Sequence, residues 1–328
     1  MLDRRTTLTL GAAALGMLAQ GEATAQVRPL PSITSPQAPS PSAPQAPSLP
    51  YRPHTVRTPD GVVIQAYEYG NPNGPAILFI HGYAQAALSW DRQTRDPELL
   101  RDFRMVAYDL RGHGMSSKPE GDQYYKPGKV WADEVEAVIE QTGLHRPILV
   151  GWSYGGRVMG DYLTEYGSGA IGGMNWVGAL SSGSPDLANP RNRGFNGPAA
   201  MGSADPATAI RSTIAFLREC FETQPSTADF ETMLAFNMMV PRHVRLSLLG
   251  RPADYEAQIK ALTIPVLVTH GALDKLVDVR MGRYTVATAP HAKLSIYENV
   301  GHAPFWEDAP RFNRELAELA QTAAARRG

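Results

Sequence analysis

From Tyr51 onward, apolar and polar positions change rhythm several times. Over residues 62–69 they alternate with period two. Val62, Ile64, Ala66 and Glu68 face one way, and Val63, Gln65, Tyr67 and Tyr69 the other, as in a half-buried strand. A β-type run precedes them across Pro59-Asp60-Gly61, so the pair reads as a hairpin. The runs AILFI (76–80), RMVAY (104–108), ILVGW (148–152) and VLVTH (266–270) are almost unbroken apolar stretches, the pattern of strands covered on both faces. A further strand is predicted over AKLSIYEN (292–299). Helical spacing fills the gaps. Trp131, Val135, Val138 and Ile139 share one face, with Gly143 as the stop. Val158, Met159, Tyr162 and Leu163 share a second. Phe312, Leu316, Leu319 and Ala320 share a third, with Pro310 in its first turn. Strands alternating with helices predict an α/β fold: a mostly parallel central sheet with helices on both faces, built from residues 51–183 and 256–328.

The rhythm breaks over residues 184–255. No convincing strand is present there, only glycine- and proline-rich loops and amphipathic runs. Ile210, Ile214, Leu217 and Phe221 fall in helical register, and Met233, Met238 and Met239 follow. The stretch is expected to be a helical cap over the carboxyl edge of the sheet. Met238 and Met239 are candidates for a substrate pocket, with cap core as the alternative, because methionine fits irregular apolar surfaces.

Upstream, residues 26–50 are dense in proline, serine and alanine and read as an extended linker. Residues 1–25 carry Arg4 and Arg5, an apolar run over 8–19 and then Ala23-Thr24-Ala25. That is the order of an export signal. Cleavage after Ala25 would leave a periplasmic or secreted protein. The apolar run is shorter than the ~20 residues a membrane span needs, so no stable span is expected in the mature form. The arginine pair resembles a twin-arginine signal, although Thr6 and Thr7 depart from its pattern.

Composition narrows the chemistry. A chain of 328 residues with 43% hydrophobic and 19% charged residues can bury a sizeable core. A formal net charge of -1 gives no field for nucleic acid. The single cysteine, Cys220, offers no internal disulfide or thiolate cluster. The eight histidines lack metal-ligand spacing, and no Gly-x-Gly-x-x-Gly follows the first parallel strand. No metal or cofactor is expected, and the implied partner is a small molecule.

Polar or glycine-rich clusters follow the strands directly: HGYAQ, DLRGHGMSS, SYGG, GALD and, last, GHAPFWEDAP. In a parallel sheet these gather at one edge. Ser153 sits in Gly-x-Ser-x-Gly between a strand and a helix, where Gly151 and Gly155 leave room for a sharp turn that lifts the hydroxyl. A serine needs a base, and the base an orienting acid. His302 and Asp274 are the candidates, in the chain order Ser153, Asp274, His302. Asp278 is the rival acid, with a helix N-terminal carboxylate as its other reading. His270 is expected to be structural, His291 an exposed turn residue, and His81 and His113 supports for their loops. Trp152 and Tyr154 flank Ser153 and are candidate pocket walls, or simple packing.

From about His54 to Ala320 the chain resembles α/β-hydrolase-fold enzymes, in particular the capped subfamily of cofactor-free haloperoxidases, carboxylesterases and carbon–carbon bond hydrolases. The resemblance is carried by HGYAQAALSW, YDLRGHGMSSKP, GWSYGG, GALDKLVD and GHAPFWEDAP. It implies that the backbone N–H groups of Tyr83 and Tyr154 form an oxyanion hole. Epoxide hydrolase and haloalkane dehalogenase relatives carry aspartate where this chain has Ser153, which points away from both. The implied activity is ester hydrolysis through an acyl-enzyme. Perhydrolysis and the cleavage of lactones, thioesters, amides or carbon–carbon bonds remain alternatives on the same residues, as does a receptor-like protein with little turnover.

Overall fold

The structure is a computed structural model that describes residues 50–183 and 197–326. The expected export signal, the expected linker up to residue 49 and residues 184–196 of the expected cap lie outside the described residues.

Eight strands form one sheet: β1 (Arg52–Arg57), β2 (Val63–Gly70), β3 (Ala76–Ile80), β4 (Arg104–Tyr108), β5 (Ile148–Trp152), β6 (Gly173–Val177), β7 (Val266–Gly271) and β8 (Lys293–Tyr297). Their order is β1-β2-β4-β3-β5-β6-β7-β8. The hairpin places β2 antiparallel to both β1 and β4, and every other neighbouring pair is parallel. Every residue of β3, β5 and β6 is buried, which explains their lack of polar alternation. Along β2, Ile64, Ala66 and Glu68 are the buried set, the face the alternation predicts.

The order reverses around β3, which pairs with β4 on one side and β5 on the other. Chain segments leaving β3 and β5 therefore diverge, and the opening between them is where open α/β sheets bind ligands. The helix Gly128–Thr142 ends at Gly143, whose φ of 68° is the left-handed stop. It buries Trp131, Val135, Val138 and Ile139. The C-terminal helix Ala309–Ala325 starts with Pro310 and buries Phe312, Leu316, Leu319 and Ala320.

Between β6 and β7 the described residues form helices and no strand: Pro198–Met201, Pro206–Glu219, Thr227–Met238, Arg242–Ser247 and Glu256–Lys260. An isolated bridge pairs Ser182 with Asp254, so the two ends of this segment meet. Its interior is organised around a cation. Arg245 is buried and donates to Val240 O (2.9 Å), Asn237 O (2.6 Å), Met201 O (3.3 Å) and Thr213 Oγ1 (2.9 Å). The expected face of the helix Pro206–Glu219 is met at Leu217 and Phe221, which are buried, and corrected at Ile210. Ala209, Ser212, Thr213, Phe216 and Leu217 point inward, while Ile210 is 41% exposed. The inward face thus includes Thr213, whose hydroxyl accepts from the buried guanidinium.

Candidate active site

β5 ends at Trp152, and the next helix begins at Tyr154. Ser153 is the hinge between them, with φ 54° and ψ -111°, a conformation that a residue with a Cβ rarely adopts. Two backbone bonds hold it there: Ser153 N–H donates to Val177 O (2.9 Å), and Gly156 N–H to Ser153 O (3.0 Å). A Cβ at Gly155 would collide with Ile80 O, so the elbow closes against β3 only with glycine there. Ser153 stays partly exposed. Among the described residues its hydroxyl has no hydrogen-bond partner.

β7 and β8 deliver the next two groups. His302 Nδ1 lies 2.7 Å from Asp274 Oδ2, and both residues are buried. Asp274 Oδ1 accepts from the backbone N–H groups of Leu276 (2.8 Å) and Val277 (2.9 Å). His270 reaches the same carboxylate, with Nε2 3.2 Å from Asp274 Oδ2 and 2.9 Å from Val277 O. Burial alone would push the Asp274 carboxyl up. The imidazoles of His302 and His270 outweigh burial and hold it well below the usual carboxylate range. Asp278 lies elsewhere: it caps the helix Val279–Thr288, accepting from Arg280 N–H (2.9 Å).

The turn after β3 is set by two buried histidines. His81 Nε2 accepts from Leu110 N–H (3.0 Å), and His113 Nε2 from Ala84 N–H (3.2 Å). Each Nδ1 then carries the proton, donated to Gly82 O (2.8 Å) and Arg111 O (2.9 Å) respectively. The rings meet edge-on at 5.0 Å. Burial lowers both, His81 to about 4 and His113 to about 3, so both are neutral at pH 7. The turn they fix leans on the elbow, since a Cβ built on Gly82 would lie 3.3 Å from Ser153 Cβ.

Tyr83 and Tyr154 direct their side chains away from the elbow. Tyr83 Oη donates to Arg245 O (3.1 Å). Tyr154 Oη accepts from Arg251 Nη1 (2.8 Å). Arg251 also pairs with Asp161, which accepts from Tyr255 Oη (3.0 Å). Among the described residues neither tyrosine's backbone N–H donates to a carbonyl.

Trp152, a candidate pocket wall, is buried beneath the His302 loop instead. Its Nε1 donates to His302 O (2.8 Å), and its ring packs on Phe305. Met238 and Met239 sit at the exposed end of their helix, 39% and 44% accessible. His291 is an exposed turn residue. The contacts of His270 with Asp274, and of Glu307 with Gly301 N–H, were not foreseen: only the short spacings to Asp274 and His302 could have raised them. Among the described residues no group of His, Cys, Asp and Glu could hold a metal ion, and no helix is long and apolar enough to cross a membrane.

The α/β hydrolase fold family model matches residues 75–309. The chain is 26% identical to a bifunctional esterase/perhydrolase of Acinetobacter calcoaceticus, over 80% of this chain and 97% of that protein. It is 27% identical to a non-heme chloroperoxidase of Kitasatospora aureofaciens, over 80% and 97%. Among solved structures, a putative aryl esterase from Burkholderia cenocepacia superposes with a TM-score of 0.79 at 35% identity, covering 84% of this chain and all of that one. Esterase RhEst1 from a Rhodococcus species gives 0.73 at 32% identity with the same coverage. With the sheet order, the strand-end clusters and these likenesses in agreement, the chain belongs to the α/β-hydrolase family and is an enzyme of that fold.

Proposed function

We propose that the chain is a serine esterase in which Ser153, His302 and Asp274 act as a triad. The carrying observation is the buried Asp274–His302 pair at the same sheet edge as the strained Ser153. Asp274, anionic at pH 7, keeps the proton on His302 Nδ1 and leaves Nε2 free as a base. His302 takes the serine proton as Oγ attacks the ester carbonyl, and passes it to the leaving alkoxide or phenoxide. A water, deprotonated by the same imidazole, then releases the acid from the acyl-enzyme. The N–H groups of Tyr83 and Tyr154 stabilise the tetrahedral oxyanion, each worth about 2.7–4 kcal/mol in comparable sites. The helical segment between β6 and β7 serves as the cap that shapes the acyl and alcohol pockets.

A fluorophosphonate probe and p-nitrophenyl acetate test the reading. Wild type should be labelled and show a burst of p-nitrophenol. Ser153→Ala should lose both, and labelling that survives elsewhere would overturn the assignment. Burst kinetics also separate an enzyme from a receptor-like protein with little turnover. The likeness to an esterase/perhydrolase and a chloroperoxidase supports a second outcome on the same acyl-enzyme. Peroxide replaces water in deacylation and a peracid is released.

We also propose export. The motive is the signal-like order of residues 1–25. The N-terminus of protein from an exporting host should begin near Gln26, and an uncleaved cytosolic chain would contradict this.

A further inference from the structure

The proposed chemistry leaves one carboxylate unused beside the base. Glu307 ends the short helix Pro304–Glu307, five residues after His302. Its Oε1 accepts from Gly301 N–H (2.9 Å), directly before His302. Its Oε2 accepts from Glu222 N–H (3.0 Å) and Thr223 N–H (2.7 Å). Those two residues belong to the cap, just past the helix Pro206–Glu219.

The seam continues on either side. His302 N–H donates to Cys220 O (3.0 Å). A Cβ added at Gly301 would lie 2.8 Å from Glu222 N, so loop and cap touch at the level of the backbone. Lys275, next to Asp274, pairs with Glu222 at 2.9 Å, but both side chains are solvent-exposed and such a pair contributes little. On its other flank the short helix is fixed to the core. Arg92 Nη1 donates to Trp306 O (2.9 Å), and Gln93 Nε2 to Phe305 O (2.8 Å). Glu307 thus spans from a fixed helix to the cap and takes in the residue before His302 on the way.

We propose that Glu307 is a positioning residue for His302, its carboxylate fastening the base loop to cap residues 220–223 so that the imidazole is aligned with Ser153 when the cap is seated. A carboxylate suits the task because it accepts at both oxygens. Glutamine at the same place would turn an NH₂ group toward at least one of the three N–H donors. The inference rests on His302 being the general base.

The test compares wild type, Glu307→Gln, Gly301→Ala and His302→Ala as full chains with p-nitrophenyl acetate, below the Tm of each. General-base help is worth roughly 10²–10⁴-fold, so partial misalignment should lower kcat about tenfold for Glu307→Gln. KM should stay within about threefold, because the loss is felt in the transition state. The rate of Ser153 labelling by the fluorophosphonate should fall in step with kcat. Gly301→Ala keeps the Glu307 side chain but wedges the same seam, its Cβ 2.8 Å from Glu222 N and 3.1 Å from Glu307 Oε1. It should reproduce the kcat loss, and it decides the matter where Glu307→Gln yields no folded protein. A purely structural carboxylate would lower Tm while kcat, KM and labelling rate stay at wild-type values, and that result overturns the proposal. His302→Ala tells the two readings apart. If it keeps wild-type activity, the base reading falls and the role of Glu307 with it. If it is inactive while Glu307→Gln and Gly301→Ala are unimpaired, only the role of Glu307 is lost.

Discussion

At the scale of single residues, the site depends on atoms held in one protonation state. His81 and His113 each accept an N–H at Nε2, so protonating either ring would set two donors against each other. Burial lowers them to about 4 and about 3, against about 6.5 in the unfolded chain. Between pH 6.5 and 4 the unfolded state therefore binds more protons than the folded one, and stability falls as pH falls. The slope is about 1.4 kcal/mol per pH unit for each histidine. His113→Gln, which does not titrate, should remove roughly half of this slope in urea midpoints measured across that range. An unchanged slope would assign the acid sensitivity to other groups. Ser153 and its glycines were legible in the sequence because a tight elbow admits few residue types. Asp274 is favoured over Asp278 by its place at the end of β7, and Asp278 reads as a helix N-terminal carboxylate, but both follow β7 closely and only the fold shows which one meets His302.

At the scale of elements, strands and core helices were legible because each buries a periodic face. The helical segment was legible only as helical. Arg245 lies at its centre, with partners from three separate stretches of chain. A buried cation seeking carbonyls leaves no periodic trace, and the face expected to bury Ile210 holds only Leu217 and Phe221 fully buried, with Thr213 beside them. Arg245→Ala would leave Val240 O and Met201 O without this donor. At about 1–3 kcal/mol for each buried unsatisfied group, stability in urea should drop by roughly 3 kcal/mol. By contrast, Met239→Ala should change stability by only about 0.5 kcal/mol, because its side chain is 44% exposed, whereas Met238 Sδ lies 3.8 Å from Arg245 Nη2. With Met238 and Met239 at the exposed end of their helix, the acyl-chain preference of either alanine variant measured with aryl esters should stay as in wild type.

At the scale of the whole molecule, class and sheet were readable because the long apolar runs admit only a covered parallel sheet. The seam between the helical segment and the His302 loop was not readable, since its donors are backbone N–H groups that carry no sequence signature. The Ser182–Asp254 bridge has a consequence for how such a protein can change over time. Because the helical segment between β6 and β7 leaves and rejoins the sheet at one doorway, a lineage in which it serves as the proposed cap could exchange most of it without disturbing the strands that carry Ser153, Asp274 and His302. Inheritance through that doorway is constrained at a second point, where Glu307 receives the N–H groups of residues 222 and 223. A transplanted cap would arrive with its own loop there. Caps should therefore be exchangeable in sequence and length over most of their extent, yet bound to one backbone path where they meet the base loop.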